Sequence, residues 1–455
     1  MSTFSLIFIA VLGIALLLFL VIYVRLQAFI ALLIASLFVA VIGGIPPAEI
    51  AGVIQEGMGG TLGYIAIIIG LGAIFGEVLQ ASGGAEVISN TLLKKSGEDR
   101  APAALALTGL IVAIPVFFDV ALILFIPLVY SMARRTGRSL LYYGIPLTAG
   151  IAVAHSFIPP TPGPVAVAGL LGADLGWVIL FGLLAGIPAV IVGGLFFGRY
   201  IAKKIHIDAP VEESLQPGET ALTTAASRDP KEPLTFGMVA GIIAVPLVLI
   251  LLNTATGVLL PEDSLLRGWI AFIGHPFVAL TLASLLAFYF LGTRQGYSRR
   301  DLGEIASRSF EPVGLIILVT GAGGVFGRVL ITTGVGEALA DVMAASNLPI
   351  ILLAFLIATA VRVSQGSATV AMVTSAGLIA PAVKIANYSP PLVAAITIAI
   401  ACGATVLSHV NDSGFWLVGK YFGMNEQQTL KSWTVLETIL GLVGFIVVLV
   451  ISFFL

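Results

Sequence analysis

Arg362 lies in the stretch AVRVSQGSATVAMV (360–373), closely followed by Ser364, Gln365, Gly366, Ser367 and Thr369. A guanidinium offers two parallel N–H donors that match a carboxylate, and hydroxyl and amide groups beside it suit a polyhydroxylated ligand. A second polar stretch, SHVNDSGFWLVG (408–419), places His409, Asn411, Asp412 and Ser413 in an otherwise apolar setting. A third, AHSFIPPTPGPVAVAG (154–169), carries His155, Ser156 and Thr161 among Pro159, Pro160, Pro162 and Pro164. Proline has no amide hydrogen and clashes with the preceding turn, so a helix must break there and free its carbonyls. Asp119 stands alone in AIPVFFDVALILFIP (113–127), with no basic residue within ten positions on either side.

Read together, these stretches describe a site for a small carboxylate bearing hydroxyls. Arg362, Ser364, Gln365, Gly366, Ser367, Thr369, His155, Thr161, Asn411, Asp412 and Ser413 are its expected substrate contacts. Asp119 and His409 are its expected proton carriers, since acidic and imidazole groups buried in a membrane commonly form proton relays. Asp412 and His155 are rivals for that role, and either histidine equally suits a structural hydrogen bond. Asp412 beside freed carbonyls also suits Na⁺, so the residues alone leave the coupling ion open.

The elements that must hold these groups are set by hydropathy. The chain has 455 residues, 58% hydrophobic and 10% charged, with a mean hydropathy of +1.10. Soluble domains carry about 25% charged residues. Apolar runs near the length of a membrane crossing recur at Phe4–Val24, Thr235–Asn253, Trp269–Leu291 and Val435–Leu455. The chain therefore reads as an all-α polytopic membrane protein. Its first run lacks a basic start and a cleavage motif and is expected to be retained. Cys402 is the single cysteine, so no disulfide or metal cluster is expected. A net charge of −2 gives no ground for a nucleic-acid partner. Neither His-x-x-Glu-His nor G-x-S-x-G occurs, so no enzyme is expected, and no cofactor.

The sequence also repeats itself. FIALLIASL (29–37) matches FVALTLASL (277–285), and GLGAIFGEVLQASGGAE (70–86) matches GAGGVFGRVLITTGVGE (321–337) at a separation of 251. At that separation the proline-rich break falls opposite SHVNDSGFWLVG. Cytoplasmic loops gather Lys and Arg, which places KKSGEDR (94–100), RRTGR (134–138) and RQGYSRRDLGEIASR (294–308) inside and the acidic GGIPPAEIAGVIQEG (43–57) outside. Two basic loops only about thirty residues apart require a re-entrant hairpin between them. The expectation is two inverted repeats, 1–198 and 235–455, joined by a cytoplasmic linker at 199–234. Each has about five crossings plus a hairpin (about 101–133 and 348–383) and a helix broken at the midplane (about 140–173 and 389–422). Inverted repeats with interrupted helices are the pattern of secondary transporters. A passive channel would need a continuous polar path, whereas hairpins entering from opposite faces favour alternating access.

The motifs GGTLGYIAIIIGLGAIFGEVL, FFDVALILFIPLVYSMAR, HSFIPPTPGPVAVAG, GADLGWVILFG, GAGGVFGRVL, QGSATVAMVTSAG and EQQTLKSW resemble those of the gluconate permease (GntP) family over roughly residues 25–445. That family is similar in fold to the ion transporter superfamily. The resemblance implies a scaffold and a transport domain working by an elevator motion, a homodimer among membrane lipids, and a multi-pass location in a bacterial inner membrane. It also implies proton symport of gluconate or a related sugar acid. Members also carry D-serine, glycerate or fructuronate, so a permease for D-serine or another small hydroxy acid such as glycerate or lactate is the alternative. The family commonly has Glu where this chain has Asp119, one methylene shorter.

Overall fold

The computed structural model of the chain describes residues 2–98, 100–209, 233–335, 338 and 348–455. Every element among them is helical. The first half comprises α1 (Thr3–Leu18, prolonged by a wide turn at Phe19–Tyr23), α2 (Ala28–Ile42), α3 (Pro47–Ala81), α4 (Gly84–Ser96), α5 (Ala101–Val112), α6 (Phe118–Thr136), α7 (Leu141–Phe157), α8 (Pro162–Leu171) and α9 (Leu175–Lys204). The second comprises α10 (Phe236–Leu259), α11 (Leu265–Ile273), α12 (Pro276–Gln295), α13 (Arg299–Arg308) and α14 (Phe310–Thr332). It ends with α15 (Ile350–Gln365), α16 (Ala368–Ala386), α17 (Pro390–Gly403), α18 (Ser413–Phe422) and α19 (Glu426–Ser452). The central part of the linker, 210–232, and residues 336, 337 and 339–347 lie outside the described residues.

Among the described residues nine helices are long and apolar enough to cross a membrane, against ten crossings expected. Eight coincide with expected crossings, and the ninth, Ala368–Ala386, is an arm of the expected second hairpin. The shortfall has a physical cause. At 1.5 Å per residue, the 15 residues of α2 and the 14 of α17 rise only about 22 Å each. The expected outer loop at 43–57 is also mostly helix. Pro47 occupies the first turn of α3, where its missing N–H costs nothing, so the 35-residue helix begins inside that stretch.

Local chemistry sets the breaks. The helix through 141–171 is interrupted at Ile158–Thr161, where proline pairs forbid the ladder. A second interruption spans 404–412 between α17 and α18. α5 and α6 are joined by Ala113–Phe117, and α15 and α16 by Gly366 and Ser367. Large side chains including Phe8, Val41, Phe196, Val248, Leu285 and Ile446 stay exposed on the outer surface. A water-soluble monomer rarely presents so much apolar area, whereas lipid accepts it.

α3 and α14, the helices carrying the long internal match, pack against each other along their glycines. A Cβ on Gly57 would meet the Val325 backbone at 2.7 Å, and one on Gly324 would meet Thr61. Gly76 of α3 lies against the Pro115 carbonyl in the turn between α5 and α6. A Cβ on its match Gly327 would lie 3.3 Å from the Gly377 carbonyl oxygen of α16. Without side chains, backbone meets backbone, the close approach typical of helices packed in membranes.

Candidate functional site

Helix ends converge on one cavity of about 290 Å³, near the lower end of small-molecule pockets. The ends of α7 and α15 reach it, bringing His155, Ser156 and Arg362. Three helices start from it. α6 contributes Phe118, Asp119 and Val120; α16 contributes Thr369 and its cap Ser367; α18 contributes Ser413, Gly414 and its cap Asp412. Unsatisfied N–H groups and the positive ends of helix dipoles gather at such starts, which favours an anion. The first three turns of α14 and the wide turn of α19, with Trp433, close the walls.

Arg362 anchors the site. It is 2% exposed, and its Nη2 donates to Asp412 Oδ2 at 2.6 Å. Asp412 is fully engaged: the Ser408 hydroxyl donates to the same oxygen, and the Gly414 amide donates to Oδ1 at 3.2 Å. Ser408 is itself fixed, accepting from Trp433 Nε1 at 2.7 Å while its carbonyl accepts from the Thr434 hydroxyl. The guanidinium is only partly used, since Nε and Nη1 have no hydrogen-bond partner among the described residues. Buried donors are normally paired. Each free nitrogen flanks Nη2, whose second hydrogen can join it in two parallel bonds, and such donors at a cavity wall are suited to grip a carboxylate.

Seven of the residues named from sequence line this cavity: Asp119, His155, Arg362, Ser367, Thr369, Asp412 and Ser413. His155 Nδ1 is buried without a partner among the described residues. Six do not line it. His409 Nε2 pairs with the Val363 carbonyl at 3.0 Å, and Asn411 Nδ2 donates to the same oxygen at 2.9 Å. Ser364 donates to the Val361 carbonyl at 2.9 Å and Thr161 to the Ile158 carbonyl at 2.6 Å, so both hydroxyls serve their own helix ends. The Gln365 amide is buried with neither atom bonded, and Gly366 turns the chain with φ +86°. Two lining residues with polar side-chain groups escaped the sequence reading, Trp433 and Glu437. Glu437 is a single acid in an apolar run, the same signal that marks Asp119, but it sits inside what reads as the last crossing.

A second cavity, of about 350 Å³, lies between α3, α8, α14 and α16. Its charged groups are the exposed pair Arg328–Glu56 (2.6 Å) and Lys384. It has nothing like the buried fork of the first.

The model of the GntP family of permeases matches residues 5–454. A low-affinity gluconate transporter of Escherichia coli K12 is 44% identical over 447 residues, 98% of each chain. An inner membrane permease of the same organism, YgbN, is 42% identical over 450 residues, again 98% of each. Among solved structures, Neisseria gonorrhoeae MtrF, described as one of a class of antimetabolite efflux pumps, superposes with a TM-score of 0.66. It is 14% identical, covering 92% of this chain and 93% of that one, a likeness of fold.

Proposed function

The chain belongs to the GntP family of permeases and is a multi-pass transporter of the inner membrane, and from that premise we propose that it takes up gluconate or a related sugar acid together with protons. The observation that carries the substrate class is the half-used Arg362 fork on a buried cavity wall. A carboxylate fits one free nitrogen together with the second hydrogen of Nη2. The hydroxyls of Ser367, Thr369 and Ser413 and the free ring nitrogen of His155 meet the hydroxyls of a sugar acid. The gluconate transporter at 44% identity supports the same substrate.

Charge supports proton coupling. The cavity holds one guanidinium and three carboxyls, those of Asp119, Asp412 and Glu437. An entering anion adds a fourth negative charge at short range, where like charges repel strongly in a poorly hydrated site. A co-bound proton removes one. His409, turned to Val363 outside the cavity, is poorly placed to accept it. Uptake of labelled gluconate into sodium-free proteoliposomes tests this reading. Accumulation is expected only with an inward proton gradient, and sugar acids should compete while D-serine does not. Accumulation on a sodium gradient alone would replace the proton, and D-serine uptake without gluconate uptake would move the substrate.

The broken helices, the two helix–turn–helix units and the matched glycines of α3 and α14 support two inverted repeats with alternating access by an elevator motion. Cysteines placed at 94–98 and at 342–347 should then label from opposite sides of the membrane. The native Cys402 is buried and should stay silent. Same-side labelling would reject the inversion.

A further inference from the structure

We infer that Glu437 is the group that takes up the coupling proton, a role that rests on the proton-symport reading above. Glu437 is 4% exposed on the wall of the substrate cavity, and its Oε1 has no hydrogen-bond partner among the described residues. Of the three cavity carboxyls it is the least compensated. Asp412 accepts from three donors, Arg362, Ser408 and the Gly414 amide. Asp119 is exposed and stands in the first turn of α6. A buried carboxylate lacking such donors is costly unless an added proton or cation neutralises it.

The charged and titratable groups around Glu437 make that proton depend on substrate. Arg362 on α15, Asp412 before α18, Asp119 on α6 and His155 on α7 share the cavity with it. Cys402 on α17 lies farther along, against Gly444, two turns beyond Glu437 on α19. Arg362 is the one cation among them that is always charged, and Asp412 already occupies one of its nitrogens. When a substrate carboxylate pairs with the guanidinium as well, Glu437 loses the attraction that favoured its anion and gains a negative neighbour. Substrate binding then favours protonation, and by linkage protonation favours substrate binding. That reciprocity is what a symporter requires. The balance is simple: Glu437 carboxylate plus one proton gives the neutral acid as the substrate binds. The proton leaves with the substrate on the other face.

The experiment compares wild type, Glu437→Gln and Glu437→Asp in proteoliposomes. Three readouts are taken: gluconate accumulation on a proton gradient, proton uptake per gluconate, and counterflow of labelled against unlabelled gluconate. Glu437→Gln is expected to lose proton-driven accumulation at least tenfold and to move no protons, while counterflow persists because exchange needs no net proton. Glu437→Asp, which keeps a carboxyl, should retain measurable proton uptake. Normal accumulation by Glu437→Gln overturns the assignment. So does loss of counterflow in the Gln variant, which would show a binding or folding role, and so does loss of coupling in Asp119→Asn with coupling intact in Glu437→Gln. Should Glu437→Gln not fold, the Asp variant decides alone, proton uptake supporting the assignment and its absence overturning it. Wild-type vesicles that accumulate gluconate without a proton gradient would instead reject the symport reading itself, and this assignment with it.

Discussion

Arg362→Lys is expected to cut gluconate uptake about a hundredfold at low substrate while leaving the protein folded. A lysine ammonium reaches Asp412 and keeps the pair, but it lacks the planar fork that presents two donors to a second carboxylate. Each charge-assisted hydrogen bond contributes about 1.5–3 kcal/mol. Losing one or two of them costs between one and four powers of ten in affinity, at about 1.4 kcal/mol per tenfold. The loss should fall on KM, and the anion selectivity should loosen. Arg362→Ala should behave differently. It removes substrate binding entirely, and it also strands Asp412, which is 8% exposed, without its cation. Breaking a buried pair on one side costs about 3–5 kcal/mol, so this variant should show background uptake and a lower melting temperature. Uptake kinetics and thermal unfolding in detergent, run on both variants, separate the two effects. A lysine variant with wild-type KM would remove the fork from substrate binding.

Composition and turn chemistry made much of this molecule legible. Apolar runs of crossing length and Pro159–Pro164 are local signals, and they mark helices and breaks without reference to the rest of the chain. The lone charges Asp119 and Arg362 were legible for a similar reason, because an isolated charge in an apolar run has to be accommodated by something. Which neighbours point with them was not. Ser364 follows Arg362 by two residues, about 200° around a helix of 3.6 residues per turn, so it faces away from the cavity that Arg362 lines. Asn411 and Ser413 flank Asp412 in a segment leaving its turn. One bonds outward to Val363, and the other opens a helix on the cavity. Glu437 joins the site only because α19 packs back on the 404–412 break, through Trp433 to Ser408, a contact across 25 residues. No pattern of period two or 3.6 encodes that fold-back.

The same break sets the second large effect. Gly366→Ala is expected to lower uptake by tenfold or more, with loss of gluconate-dependent thermal stabilisation. Gly366 ends α15 with φ +86° and ψ −33°, a conformation that costs a side-chain-bearing residue about 1–3 kcal/mol. Its missing side chain also leaves room for the neighbouring chain: a Cβ there would meet the Asn411 carbonyl oxygen and sit 2.5 Å from the carbonyl carbon. Backbone cannot rotate aside as a flexible side chain can. The 408–412 segment would have to withdraw from the end of α15, and Asp412 would be carried off Arg362. Gly423→Ala is the matched control. Gly423 also has positive φ, at +65°, but nothing lies within 4 Å of an added Cβ, so the change imposes backbone strain without a collision. It should lower the melting temperature slightly and keep uptake within about twofold of wild type, strain of this kind costing roughly 1–2 kcal/mol. Equal behaviour of the two variants would mean that the seating of Asn411 on Gly366 does not hold the site. A gap between them measures how far the Arg362–Asp412 pair depends on one glycine.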